Sequence, residues 1–170
     1  VVSHRNQILI ISPYGALERK FAISIIPDGP IIIGDIDLDR GAEFIMPYAG
    51  SLYCFELDGS TRFIISKIGL RLELYPILTD CDADGYLDLV VAYNRTIAIY
   101  DHNGNKKAEY RFAGSILGFT VIDVGGDWIQ DVIVALPGKI EVVNLVTGKN
   151  ITMPHASDVI SLQSDILAGD

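Results

Sequence analysis

Positive charge is scarce in this chain. Thirteen Lys and Arg stand against 22 Asp and Glu, for a formal net charge of −9 over 170 residues. That balance argues against a nucleic-acid partner, because the phosphates would be repelled. Cysteine is nearly absent. Cys54 and Cys81 are too few for a four-ligand zinc site, and leave open one disulfide or two free thiols. No apolar run approaches the length of a membrane span, and no segment carries a sustained helical period. The three histidines, His4, His102 and His155, are scattered. None has the neighbouring Ser, Cys or Asp pattern of nucleophilic catalysis, so no catalytic residue is assigned. The chain opens on Val1 without Met or a signal peptide, and reads as a processed or excised piece.

Acidic loops are what the sequence has instead. Asp80-Cys81-Asp82-Ala83-Asp84-Gly85-Tyr86-Leu87-Asp88 places carboxylates at loop positions 1, 3, 5 and 9, with glycine at position 6. Alternate side chains of a curling loop converge, and converging carboxylates repel unless a hard cation lies between them. Oxygen-rich sites of this kind suit Ca2+. Glycine permits the sharp turn, since it takes positive φ without steric cost. An EF-hand would need a glutamate at position 12 and flanking helices. Here position 12 is Val91, inside the run Leu87–Ala92, so the loop feeds a strand instead.

The loop recurs. Asp35, Asp37, Asp39 and Glu43 repeat positions 1, 3, 5 and 9, with Arg40 at the glycine position, so a slightly different turn is expected there. Asp123, Asp127 and Asp131 repeat positions 1, 5 and 9, with Gly125 in place of the second acid. A cut-off fourth version runs from Asp165 to Asp170. The loops start 45, 43 and 42 residues apart. Such a period marks a repeat whose units bury apolar faces against their neighbours. The approximate units are 1–43, 44–88, 89–131 and 132–170. Each reads as loop, buried strand, polar turn, second strand, hairpin, third strand and a weaker fourth strand. Asp58-Gly59, Asn103-Gly104 and Thr147-Gly148 carry hairpin-turn chemistry. Four short strands per unit predict an all-β fold of β-propeller blades, forming part of a larger propeller.

The stretch Asp80–Ala92 closely resembles the FG-GAP/VCBS repeat, the Ca2+-binding propeller repeat of integrin α-subunit heads and many secreted microbial proteins. The resemblance implies Asp80, Asp82, Asp84 and Asp88 as side-chain ligands of Ca2+, with the carbonyl of Tyr86 between them. It extends to Asp35, Asp37, Asp39 and Glu43, and to a reduced set of Asp123, Asp127 and Asp131. The loops Asp123–Asp131 and Asp165–Asp170 also look like those of rhamnogalacturonan lyases, eight-bladed Ca2+-rich propellers that cleave pectin, although no catalytic base can be matched.

The expectation is a Ca2+-stabilised, extracellular or cell-surface module that binds a glycan or a protein, or packs on neighbouring blades. A polysaccharide lyase and a self-assembling surface or filament protein are the alternatives. The sequons Asn94-Arg95-Thr96 and Asn150-Ile151-Thr152 are compatible with that location. Trp128 is expected to pack on the next blade rather than stack on a sugar. Glu18–Lys20 and Lys106-Lys107 read as solvated surface, and Phe21–Ile26 and Ile31–Ile33 as core strands.

Overall fold

The computed structural model describes residues 2–4, 7–66 and 74–154, which contain strands and no helix. The strands β1 (Val2–His4), β2 (Gln7–Ile11) and β3 (Leu17–Ala22) form the first sheet. The second holds β4 (Ile32–Gly34), β5 (Glu43–Tyr48), β6 (Ser51–Phe55) and β7 (Thr61–Ile65). The third holds β8 (Ile77–Thr79), β9 (Asp88–Tyr93), β10 (Thr96–Tyr100) and β11 (Lys106–Arg111). The fourth holds β12 (Gly118–Ile122), β13 (Asp131–Leu136), β14 (Lys139–Asn144) and β15 (Asn150–Pro154). Every pairing is antiparallel between consecutive strands, so each sheet is the simple meander of a propeller blade.

The sheets place each acidic loop inside a blade. Gly34 pairs with Glu43, Thr79 with Asp88, and Ile122 with Asp131. The strand before a loop is thus bonded to the strand after it. This pairing brings the first acid, which follows the paired residue, beside the ninth, which is its partner.

Successive sheets pack face to face, and strand alternation serves both faces at once. In β5, Phe44 and Met46 join Ile8, Ile23 and Ile25 against the first sheet, while Ile45 joins Leu89, Val91 and Ala98 against the third. In β9, Val90 and Ala92 turn the other way, onto Val132 and Val134 of the fourth sheet. A strand covered on both faces reads as a continuous apolar run, as Leu89–Ala92 does.

A second contact recurs between sheets. The hairpin glycines Gly59, Gly104 and Gly148 all have positive φ, as the turn chemistry requires. A Cβ on Gly59 would meet Phe21 of β3 at 2.8 Å, and one on Gly104 would meet Phe63 of β7 at 2.7 Å. Gly148 faces Tyr110 of β11 in the same way at 3.4 Å, and the Tyr110 hydroxyl donates to the Leu145 carbonyl at 2.8 Å. An aromatic ring on the third strand of one sheet therefore rests on the hairpin of the next.

Two expectations about core strands are corrected. β3 ends at Ala22, so Phe21–Ile26 is not a core strand; Ile23 and Ile25 are buried from the connection, and Ile26 is exposed. In the Ile31–Ile33 run the strand is β4, and Ile33 is exposed. Both segments lie at the edge strands of their sheets, where burial is incomplete. Glu18–Lys20 are exposed, as expected. Cys54 and Cys81 are both free and buried in different clusters, and burial pushes the Cys54 thiol up to about 12.

Candidate metal centres

Three loops, Asp35–Glu43, Asp80–Asp88 and Asp123–Asp131, are built by one set of hydrogen bonds. The first acid accepts the N–H of position 6: Asp35 from Arg40 at 3.1 Å, Asp80 from Gly85 at 2.8 Å, and Asp123 from Trp128 at 2.8 Å. The fifth accepts from position 7: Asp39 from Gly41 at 2.6 Å, Asp84 from Tyr86 at 2.9 Å, and Asp127 from Ile129 at 3.1 Å. The ninth accepts from position 2: Glu43 from Ile36 at 2.8 Å, Asp88 from Cys81 at 3.2 Å, and Asp131 from Val124 at 3.0 Å. Asp and Asn side chains commonly organise turns in this way.

The backbone is equally constant. Position 4 is left-handed in every loop, at Leu38 (φ 63), Ala83 (φ 62) and Gly126 (φ 71). So is position 6, at Arg40 (φ 74), Gly85 (φ 92) and Trp128 (φ 68). The expected difference in turn at Arg40 is therefore absent. Arg40 takes the glycine conformation, because the Asp35 carboxylate holds its N–H in place. The same geometry overturns the expectation for Trp128. At the tip position it stands 81% exposed and packs on no blade among the described residues.

The loops differ in what their carboxylates gather. Oxygens of Asp35, Asp37 and Asp39 lie within 4.8 Å of one another, and so do those of Asp80, Asp82 and Asp88. Glu43 lies at the floor of the first loop and Asp84 at the exposed edge of the second; neither belongs to those triplets. Asp123, Asp127 and Asp131 form no such group among the described residues. The ring of Tyr86 stacks on His102 with centroids 4.3 Å apart. The cut-off loop Asp165–Asp170 lies outside the described residues.

Glu43 shows what the first loop needs. Its side chain is fully buried, and Oε1 has no hydrogen-bond partner. Burial pushes its pKa up, the Ile36 N–H pulls it down, and the carboxylates of Asp37, Glu56 and Asp39 push it up again. Asp35 Oδ1 and Asp82 Oδ1 are likewise buried and unpartnered. Buried anionic oxygens without partners are costly, and buried charges ordinarily pair or coordinate metals. The oxygen-only donor set fits a hard divalent cation.

The sequence reading missed the basic side chains that reach these loops. Lys107 is exposed as expected, but its ammonium is engaged by the loop acids. Its Nζ stands 2.6 Å from Asp82, 3.1 Å from Asp88 and 3.8 Å from Asp84. Burial holds the Asp88 pKa above its usual value, and the bonded Lys107 ammonium offsets only part of that rise. In the first loop Arg62 meets Asp37 at 2.6 Å and Glu56 at 3.0 Å, and its Nε donates to the His102 carbonyl at 3.1 Å. In the third, the Asn144 amide donates to Asp131 at 3.0 Å. One signal was present in the sequence: Arg62 and Lys107 each lie three residues after their hairpin glycine.

Comparison with known proteins bears on the fold. No family model and no curated protein matches the chain. Among solved structures, BBS1N in complex with ARL6DN, soaked with lead, aligns over 82% of this chain and 40% of its own, at 26% identity and a TM-score of 0.56. BamB from Moraxella catarrhalis aligns over 85% and 42%, at 16% identity and a TM-score of 0.55. The V. cholerae biofilm matrix protein Bap1 aligns over 82% and 23%, at 18% identity and a TM-score of 0.54. The fold is that of β-propeller blades. The chain spans less than half the length of each of these propeller-like neighbours.

Proposed function

We propose that the chain is a Ca2+-braced β-propeller module of FG-GAP/VCBS type, which acts outside the cell or at its surface by presenting its loops to a protein partner. The buried, unpartnered Glu43 Oε1 carries this reading. The cation would be held by Asp35, Asp37, Asp39 and Glu43 in the first loop. In the second it would be held by Asp80, Asp82, Asp84 and Asp88, with the Tyr86 carbonyl. Asp123, Asp127 and Asp131 make the weakest set, because Gly125 removes an acid and Asn144 already satisfies Asp131. When bound, the cation supplies charge neutralisation at the connection between two paired strands. The chain's own residues do the remainder: the acids hold the loop N–H groups, and the left-handed positions turn the backbone over them.

A protein partner is supported by the BBS1N complex, a propeller-like neighbour bound to another protein. A glycan is the second reading, favoured by the exposed ring of Trp128, which offers a flat apolar face. Calorimetric titration of the chelator-treated protein with CaCl2, with melting followed in parallel, tests the cation. Heat from the first two loops and a raised melting temperature are expected. No heat at millimolar CaCl2 would contradict the reading.

A further inference from the structure

Arg62 and Lys107 reach the loops through a repeated backbone device. The β6–β7 register shifts between Cys54 and Phe55, and the β10–β11 register shifts between Ile99 and Tyr100. Phe55 pairs with Thr61 and Cys54 with Phe63, so Arg62 is the extra residue; Tyr100 pairs with Lys106 and Ile99 with Ala108, so Lys107 is the extra residue. A β-bulge re-aims the side chain it inserts. Here each bulge turns a cation toward the acidic loop of its own sheet. β15 pairs with β14 without a shift, and the third loop is met by the Asn144 amide.

The two cations are placed differently. Arg62 touches one acid of its loop, Asp37, and is also bonded to Glu56 and to the His102 carbonyl. Asp35, Asp39 and the buried Glu43 have no basic group within ion-pair distance among the described residues. The Lys107 ammonium instead stands among Asp82, Asp84 and Asp88, which are three of the four acids of its loop. Both oxygens of the buried Asp88 bond to it, at 3.1 and 3.2 Å.

We infer that Lys107 is a built-in counter-ion that competes with the divalent cation for the Asp80 loop. The loop that best matches the acid-and-glycine spacing is therefore the weaker of the two sites, and the Asp35 loop fills first. Without a cation, Lys107 offsets one of the loop's four negative charges and ties three of its acids together. With a cation, the ammonium withdraws. A cavity of about 200 Å³ lined by Cys81, Asp82, Ile99, Lys107, Leu145 and Val146 opens beside it and leaves it room. Such competition suits a module that meets Ca2+ at about 10⁻⁴–10⁻³ M, the range of extracellular modules.

This inference rests on the proposed cation binding, and the test separates the two. Calorimetric titration of the whole chain with CaCl2 is expected to show a tighter site lost in Glu43→Gln and a weaker one lost in Asp88→Asn. Lys107→Gln is expected to tighten the weaker site by at least about tenfold, because it removes a full positive charge from among the ligands. Lys106→Gln is expected to leave both sites unchanged. A second measurement uses the unmodified chain. Acetylation of Lys107 by an amine reagent, followed by peptide mass spectrometry, is expected to rise several-fold on adding CaCl2, while Lys106 does not change. Two sites in the wild type, with neither affinity moved by Lys107→Gln and no change in Lys107 acetylation, would overturn the inference alone. No binding to wild type or variant would overturn it together with the cation reading.

Discussion

At the scale of single residues, the loop carboxylates divide two tasks. Some fix loop N–H groups, with both oxygens at Asp80 and Asp123, and others, such as Asp82, face the shared centre and a basic side chain. The first task explains why the third loop keeps its shape with Gly125 in place of an acid: Asp123 alone accepts from Gly126, Asp127 and Trp128. These donors outweigh burial and hold the Asp123 pKa below its usual range. The left-handed positions carry the cost. A non-glycine residue there forfeits about 1–2 kcal/mol. Gly85 isolates that cost, because the nearest atom to an added Cβ is Leu38 Cδ1 at 4.0 Å. Gly85→Ala is therefore expected to destabilise by about 1–2 kcal/mol through φ alone. Urea unfolding measures it. The acid spacing was legible in the sequence. That Arg40 and Trp128 would take the glycine conformation was not, because the force that imposes it is the first aspartate's hold on the amide, whatever side chain follows.

At the scale of elements, the hairpins are both turns and contact points between sheets. The Asn103-Gly104 turn signal was read from sequence and holds, with φ of 79 at Gly104. Its second role was hidden, since nothing local says that Phe63, from the preceding sheet, lies against it. Gly104→Ala is expected to cost about 3 kcal/mol, more than Gly85→Ala, because the Cβ pays the left-handed penalty and also displaces the ring. Trimming Phe63 to Leu in the same chain should recover part of the loss; equal costs for the two glycine variants would contradict the contact. The bulges were hidden for a related reason. Lys106-Lys107 looks like a solvated doublet, yet the register shift sends Lys107 inward to the Asp80 loop while Lys106 stays outside on Glu109. Sequence alone does not show which residue of a strand is the extra one.

At the scale of the whole molecule, the blades are joined by two-sided burial. Leu89 and Val91 serve one interface, Val90 and Ala92 the next, and one short strand thereby ties three sheets together. Fully burying Leu89, Val90 or Val91 contributes about 1.5–3 kcal/mol each. This much was legible as continuous apolar runs recurring with the loops. Phe21–Ile26 imitated the same signal at the first sheet, where among the described residues only the second sheet packs, and the burial pattern of β3 is mostly exposed. The acidic loops join the first two strands of the second, third and fourth sheets. The central claim is that loops of one shape hold cations to different degrees, according to the acids and basic groups that meet there. Crystals grown with MnCl2, with anomalous scattering recorded at the manganese edge, test it most directly. The account expects a strong peak within the Asp35 loop, a weaker one within the Asp80 loop and none at Asp123. A map with no peak at either of the first two loops, or with its strongest peak at Asp123, would contradict it.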